Sequence, residues 1–510
     1  MPPTPSFLAS FLLALAVGTL PASAAAAEPA DPAAAAWYRS GADAVAQHER
    51  EPIDRRRARN VILFVGDGMG ISTVTAARIL AGQRAGGSGE EHQLAFETLP
   101  FLALSKTYST TQQTSDSAPT ATAMVAGIKT RGGAISVDET VNPDEQDATV
   151  VARHAVTTIL EQAEAHGLST GVVTTTRVTH ATPAVNYAHT ANREWESDAH
   201  LPAGASVTDI ASQLVAAQRK YGIEVVLGGG RTPFMPAAAT DPEYPARHGS
   251  REDGRSLVDE WVTAQPGSAY VWNREQFAAI DPGSTRHLLG LFEPSHMQYE
   301  ADRRASDEPS LAEMTAKAIG ILRNNRKGFY LMVEGGRIDH AHHAGNAYRA
   351  LTDTLALADA VRTAQELTNP RDTLIIVTAD HSHVFTMAGY PRRGNPILGP
   401  VIEPGKTRPE LARDGRPYTT LGYANGPGHA DLPAKSDPEV RRPINAGRHL
   451  EADDDTDSPG FYQEALVPLG SETHGGEDVA IYAGGPQAYL FRGTMEQHTI
   501  YHVMRRALGF

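Results

Sequence analysis

Phe329-Tyr330-Leu331-Met332-Val333-Glu334-Gly335-Gly336-Arg337-Ile338-Asp339-His340-Ala341-His342-His343 is the densest run of metal-ligand side chains in the chain. Its first five residues are apolar and of strand length, which reads as a strand buried on both faces. Beyond them Asp339 and His343 stand four residues apart, so a helix starting after the glycines would present both to one ion. The competing reading is a charged, solvated helix start. Further ligands from elsewhere in the chain decide between the two.

Outward from this stretch the same alternation recurs. The apolar run over 61–65 leads into Gly66-Asp67-Gly68-Met69-Gly70 and a helical period over 73–80. Helices are expected over 157–166, 207–221, 311–322, 348–367 and 497–508, with strands over 170–174, 225–227, 329–333, 374–377 and 479–482. This alternation predicts an α/β fold with a central, mostly parallel sheet and helices on both faces. Residues 388–472 break the rhythm with many Pro and Gly, the acidic cluster Asp453-Asp454-Asp455 and no helical period, so they read as an insertion. The organisation expected is a leader over 1–24, an N-terminal arm over 25–58, the α/β domain over 59–387 and 473–510, and a small lobe over 388–472 between its two parts. Asp67, Glu334 and Asp380-His381 all fall at or just past the carboxyl end of an expected buried strand, the edge where open α/β sheets build their sites.

A chain of 510 residues can bury a large core without staples. Its net charge of −15 argues against a nucleic-acid partner, because phosphate backbones select basic faces. The apolar stretch over 7–20, followed by Pro21-Ala22-Ser23-Ala24-Ala25, has the form of a secretory signal and points to a periplasmic or secreted protein. With no cysteine there are no disulfides, and any zinc site must be built from His, Asp and Glu. The terminal Ala507-Leu508-Gly509-Phe510 lacks a hydrophobic tail of the kind that signals a lipid anchor, so no membrane anchor is expected.

Two motifs invite other readings. Gly66-Asp67-Gly68-Met69-Gly70 follows a strand and opens a helix, but Ile71 occupies the third glycine position of a dinucleotide fingerprint and Asp67 would face the pyrophosphate. The glycines better serve a tight turn around a metal-binding Asp67. Ser117, in Ser115-Asp116-Ser117-Ala118-Pro119, is not in a G-x-S-x-G elbow, so an acyl-transfer triad has no support there. A plain N-cap is one reading of Ser117; the other is a hydroxyl at a helix N-terminus, where oxyanions bind, activated by a metal. With Asp67, Asp339, His343, Asp380, His381 and His474, the chain offers N and O ligands for two ions, a set suited to in-line displacement at phosphorus.

Six segments, VILFVGDGMG, TSDSAPTATAMVAGIKT, RVTHATPAVNYAHTANREW, FYLMVEGGRIDHAHH, TADHSHVFTMAGY and ETHGGEDVAIY, occur in that order, and through them the chain resembles the alkaline phosphatase family from about Trp37 to Leu508. His180, His340 and the 388–472 insertion look more like the animal-type enzymes than the enteric type, as expected of a bacterial secreted member close to the animal type. The disulfides of animal-type members are absent. The resemblance implies that Ser117 is the nucleophile, forming a phosphoserine, and that Arg193 clamps phosphate. It places one zinc on Asp339, His343 and His474, a second on Asp67, Asp380, His381 and Ser117, and a magnesium on Asp67, Thr182 and Glu334. Asp116, His180 and His340 would stand just outside those ligand sets. A calcium ion is implied at Glu243, the Phe292 carbonyl, Glu293 and Glu308, the last in place of the usual Asp. The insertion would be a crown-like lobe in a homodimer.

The function so expected is hydrolysis of small phosphate monoesters to inorganic phosphate and an alcohol. A phosphodiesterase or sulfatase of the same superfamily is one alternative; sulfatases of the related type use a modified Cys, which is absent, and Arg193 favours a terminal phosphoryl group. The other alternative is a non-catalytic phosphate or metal binder with Ser117 as a mere cap.

Overall fold

In this computed structural model the described residues are 29, 31–434, 436, 450, 451 and 453–510, so the expected leader over 1–24 lies outside them. The chain divides into two units, Met1–Pro52 and Ile53–Phe510. In the first, helix α1 (Pro32–Arg50) starts at Asp31, whose carboxylate accepts from the Ala34 N–H at 2.9 Å, with Pro32 in the first turn, and ends on His48 and Arg50. That polarity suits the helix dipole at both ends.

The second unit is built on strand β1 (Asn60–Gly66), all seven residues of which are buried. Its side chains alternate between two cores. Val61, Leu63 and Val65 join Ala121, Leu160, Leu214 and Met504 on one face, whereas Ile62 and Phe64 join Ala77, Met314 and Val361 on the other. Burial on both faces is what an uninterrupted apolar strand requires, at about 1.5–3 kcal/mol for each large side chain.

Chain order then runs α2 (Ile71–Arg84), β2 (Phe101–Lys106), α3 (Ser117–Ala126), α4 (Ala148–His154), α5 (Ile159–Ala165), β3 (Ser169–Arg177) and α6 (Ala181–Ala184). Next come α7 (Ile210–Tyr221), β4 (Val225–Gly229), α8 (Leu257–Ala264), β5 (Ser268–Val271), α9 (Arg274–Ala279), β6 (His287–Leu291) and α10 (Leu311–Leu322). The opening stretch of sequence forms β7 (Phe329–Gly335) and α11 (Arg337–His343), followed by α12 (Ala347–Leu367) and β8 (Thr373–Ala379). Short strands β9 (Ser382–His383), β10 (Phe385–Met387), β11 (Leu421–Gly426), β12 (Ala430–Asp431), β13 (Phe461–Tyr462), β14 (Ala465–Pro468) and β15 (His474–Gly475) lead to β16 (Val479–Gly484), β17 (Gly493–Glu496) and α13 (Thr499–Leu508).

Among the described residues ten strands form one sheet in the order β17-β2-β16-β8-β1-β7-β3-β4-β6-β5. Every pairing is parallel except those of β16, which runs against both β8 and β2. The expected mostly parallel α/β sheet is therefore present. Sequence pattern missed β2, β5, β6 and β17, and it assigned no strand to the small lobe expected over 388–472, where β11 and β14 form a small sheet with β10, which lies just before it.

Register places the site. Gly66 pairs with Ala379 and with Gly335, and Val65 with Glu334, so Asp67, Asp380 and Glu334 leave neighbouring strands at nearly one level. Adjacent strands lie about 4.8 Å apart, so three carboxylates are forced together at one sheet edge.

Candidate metal and phosphate site

Asp67 sits in the turn after β1, and that turn explains its glycines. Gly68 has φ +68°, and a Cβ there would lie 2.4 Å from the His383 ring. The Gly68 N–H donates to Asp380 Oδ1 at 3.0 Å, which ties the β1 turn to the end of β8. Ser117 is the first residue of α3, whose N-cap is Asp116. Its Oγ lies 3.1 Å from His381 Nε2 and 3.4 Å from Asp67 Oδ1. Thr182 Oγ1, on α6, is 3.5 Å from Asp67 Oδ2.

The histidine tautomers follow from their partners. His343 Nδ1 faces the Glu472 carbonyl at 2.7 Å and His474 Nδ1 faces the Ser115 carbonyl at 2.7 Å. Carbonyls only accept, so both Nδ1 atoms carry hydrogen. The two Nε2 atoms then face each other at 3.1 Å, with Asp339 Oδ1 at 3.3 and 3.4 Å, and burial is outweighed by the Asp339 carboxylate, which raises the His343 pKa above its ordinary value. His381 repeats the pattern: Nδ1 faces the Ser382 carbonyl, and Nε2 points at Asp67 Oδ1 and Asp380 Oδ2, each 3.3 Å away. A shared cation would satisfy these converging nitrogens and carboxylate oxygens together.

Electrostatics points the same way. Burial, then the charges of Asp380, Asp339 and Glu334, hold the Asp67 carboxyl well above its usual range. Burial, helped by the charge of Asp380, raises Glu334 to about 7. Glu334 Oε2 accepts from the hydroxyls of Thr174 and Thr176, while Oε1 is buried without a hydrogen-bond partner, as is Asp380 Oδ2. Asp67, Asp380 and His381 form one tight cluster of ligand atoms, and Asp67, Glu334 and His180 another. Such a set of buried acids is compatible with ionisation once cations are present. The donor chemistry thus fits metal ions: nitrogen and oxygen around Asp339 and His381, oxygen around Glu334 and Thr182.

Arg193 donates from Nη2 to His180 Nε2 at 2.8 Å and from Nη1 to Asp116 Oδ1 at 3.3 Å. Because an arginine only donates, His180 carries its hydrogen on Nδ1, and that N–H is buried with no acceptor. An N–H cannot ligate an ion, so His180 is placed to donate to a ligand's oxygen beside Glu334. His340 Nδ1 takes a hydrogen bond from Arg337 at 2.9 Å, both nitrogens of His342 are held, by Thr73 and Tyr423, and neither ring belongs to the cluster of ligand atoms around Asp339.

Two participants were missed from sequence. His383 Nε2 lies 2.8 Å from Asp339 Oδ1 and its Nδ1 lies 2.5 Å from Glu472 Oε2. Burial alone would lower this imidazole, but Glu472 and Asp339 hold it up to about 10. It orients Asp339 as a carboxylate does a ligating histidine. The available signal was spacing: His383 lies two residues after His381, and Glu472 two before His474. Strands β9 and β15 pair antiparallel with His383 opposite His474, which brings the two ends of the insertion together.

The expected calcium residues lie near one another without converging as tightly. Glu243 is paired with Arg231 at 2.7 Å, and Glu293 accepts from Tyr244 at 3.2 Å and Gln298 at 3.1 Å. Glu308 Oε1 accepts from the Gln298 N–H, and its Oε2 is buried without a partner. Burial, then the charge of Glu293, raises Glu308 well above its usual range. Phe292 directly follows β6, its N–H donating to the Gly228 carbonyl at 2.8 Å.

Fold and site together define an α/β protein with a buried cluster of metal-ligand side chains at the carboxyl edge of a mostly parallel sheet. The alkaline phosphatase family profile matches residues 58–510. The chain is 46% identical to the tissue-nonspecific alkaline phosphatase of Gallus gallus over 89% of its own length and 85% of that protein's. It is 44% identical to the Homo sapiens isozyme, over 90% and 85%. Its fold is similar to that of Thermus thermophilus alkaline phosphatase, with TM-score 0.62 at 26% identity over 90% and 93% of the two chains. The alkaline phosphatase of the Antarctic bacterium TAB5 shares the fold at TM-score 0.59 and 21% identity, over 89% and 99%. The chain belongs to the alkaline phosphatase family, and its activity is hydrolysis of phosphate monoesters. Among the described residues no helix is long and apolar enough to cross a membrane.

Proposed function

We propose that this protein hydrolyses phosphate monoesters through a phosphoserine on Ser117, at a centre holding two zinc ions and one magnesium. The observation that carries the reading is the convergence of His343 Nε2 and His474 Nε2, 3.1 Å apart, on Asp339 Oδ1. One zinc is assigned to Asp339, His343 and His474, the other to Asp67, Asp380, His381 and Ser117, and magnesium to Asp67, Thr182 and Glu334. Such ions supply Lewis acidity to the attacking and departing oxygens of an in-line displacement.

The chain's own residues do the rest. Ser117 stands at the N-terminus of the ten-residue helix α3, where backbone N–H groups and the helix dipole favour a phosphoryl group. Its Oγ gives up its proton and attacks phosphorus, the P–O bond to the alcohol breaks, the departing oxygen takes up a proton, and the phosphoryl group is left on Ser117. Water then attacks the same phosphorus, releasing inorganic phosphate and restoring the hydroxyl. Arg193, aimed by Asp116 and His180, donates a fork of N–H groups to the phosphoryl oxygens in both steps.

A calcium ion is assigned to Glu243, the Phe292 carbonyl, Glu293 and Glu308, supported by the unpartnered Glu308 oxygen. A homodimer through the insertion accounts for its exposed apolar side chains, among them Leu466 at 81% and Tyr390 at 83% exposure. The apolar stretch over 7–20 supports a periplasmic or secreted location. Purified protein assayed on a chromogenic phosphate monoester, diester and sulfate, with chelator and with zinc and magnesium returned, tests the reading. Monoester turnover that chelator abolishes and the metals restore is expected. Turnover indifferent to chelator, or a preference for diester or sulfate, would overturn it.

A further inference from the structure

Ser136 is the one buried residue of the described chain, other than glycine and Gln487, held at positive φ, here +45°. A non-glycine residue persists there only when its surroundings over-determine it. Its N–H takes a bond to Thr122 Oγ1 at 3.0 Å, on α3 five residues beyond Ser117, and its Oγ donates to the Val185 carbonyl at 2.7 Å. Its own carbonyl accepts from the Val156 N–H at 2.9 Å and from His189 Nδ1 at 2.8 Å.

The His189 ring is held at its other nitrogen too. Nε2 lies 3.2 Å from Glu161 Oε1, which also accepts from the Tyr221 hydroxyl at 3.1 Å. Since the Ser136 carbonyl requires hydrogen on Nδ1, the bond to Glu161 requires a second hydrogen on Nε2, so both bonds together need the imidazolium. The pair lines a cleft of about 490 Å³, with Gln213, Lys220 and Tyr221 around it, through which water reaches the ring. Lys220, whose Nζ lies over the Tyr221 ring, is the cation facing the pair, and Glu161 and Tyr221 are the other titratable groups there. The main chain of His189 is clamped as well, its N–H and carbonyl both bonded to the Gln213 amide, at 2.8 and 3.2 Å.

This anchor is joined to Arg193 by two layers of main chain. Ile135 and Thr190 exchange both backbone hydrogen bonds, at 2.9 and 3.0 Å, and the Arg193 N–H donates to the Gly133 carbonyl at 2.9 Å. The Gly133 N–H in turn donates to Asp116 Oδ2, the carboxylate whose other oxygen receives the Arg193 guanidinium. We propose that His189 is a positioning residue for the reaction, its doubly bonded ring locking the Ser136 turn and, through segments 133–136 and 188–193, the aim of Arg193 at the phosphoryl group on Ser117. The inference rests on the reading of Arg193 as the phosphate clamp.

Glu161 and the Ser136 carbonyl outweigh burial and raise the His189 pKa above the ordinary value, so the lock is complete at lower pH and is lost as pH rises through that raised pKa. The test compares His189→Ala, Glu161→Gln, Arg193→Ala and the double variant His189→Ala/Arg193→Ala. KM and kcat on a chromogenic phosphate monoester, inhibition by inorganic phosphate, and thermal unfolding are read for each. His189→Ala is expected to raise KM and the phosphate inhibition constant about tenfold with kcat within about threefold, the size of one weakened charge-assisted hydrogen bond. The double variant should be no worse than Arg193→Ala alone, because coupled residues are not additive. The gap in phosphate inhibition between wild type and His189→Ala should close as pH rises.

Multiplying losses in the double variant, or a lowered unfolding temperature with unchanged phosphate inhibition, would overturn the proposal. Should His189→Ala fail to fold, Glu161→Gln keeps a hydrogen-bonding partner while removing the charge, and unchanged phosphate inhibition in it would be equally contrary. If Arg193→Ala itself leaves phosphate inhibition unchanged, the clamp reading fails. If Arg193→Ala weakens inhibition and His189→Ala does not, the positioning role alone fails.

Discussion

At the scale of single residues, the site is a set of side chains whose nitrogen and oxygen atoms converge with few hydrogen-bond donors between them. His343, His381 and His474 each bond a backbone carbonyl through Nδ1 and turn Nε2 inward. Arg193 is the complement, a group that only donates, held by one acid and one imidazole on the near side of Ser117. Replacing Arg193 with Ala should weaken phosphate inhibition by about 1.5–3 kcal/mol, the range for a hydrogen bond to a charged group. The cation centre would still hold phosphate, so inhibition should weaken without vanishing; inhibition constants measured on the purified variant check this. Residues whose type announces a ligand, such as Asp67, Asp339 and His474, were legible in sequence. His383 and Glu472 were not, because each acts on another side chain, and that relation exists only once β9 and β15 pair.

At the scale of elements, strand ends and helix starts do the positioning. The β7 and α11 pair was readable because five apolar residues run straight into the ligand pattern, and the i, i+4 spacing of Asp339 and His343 survives in the structure as one face of α11. Strands such as β5 (SAYV) and β17 (GTME) were not, since short edge strands owe their conformation to the neighbour they pair with. The glycine turn after β1 makes a sharper statement. Gly68→Ala would meet the αL penalty of about 1–2 kcal/mol and push a methyl into the His383 ring. Lower thermal stability together with loss of bound zinc is expected, checked by unfolding curves and metal analysis on the same preparation. A variant that keeps full zinc content would show that the turn tolerates displacement of His383.

At the scale of the whole molecule, the ten-stranded sheet carries chemistry at its carboxyl edge and a different electrostatic load at the other. Glu164 and Glu224 meet beside the start of β3, where Glu224 accepts from Ser169 Oγ and the Thr170 N–H. Burial, together with the charge of Glu224, lifts Glu164 to about 8, and burial lifts Glu224 to about 7. The folded protein therefore holds more protons here than the unfolded chain, whose carboxyls titrate near 4.5. Stability from this pair is present below that value and is lost as pH rises toward 8. Glu164→Gln should gain on the order of 1–2 kcal/mol over wild type at alkaline pH, with the difference closing near pH 4.5. Unfolding measured across that range checks both the sign and the window.

The proposed function turns on Ser117 acting as nucleophile, and one measurement bears on it most directly. Ser117→Ala protein is assayed for turnover of a chromogenic phosphate monoester, with bound zinc and phosphate affinity read on the same sample. Turnover should fall about a thousandfold or more while zinc stays bound and phosphate affinity changes little, since Arg193 and every His, Asp and Glu ligand are untouched. Turnover near that of wild type would contradict the assignment of Ser117.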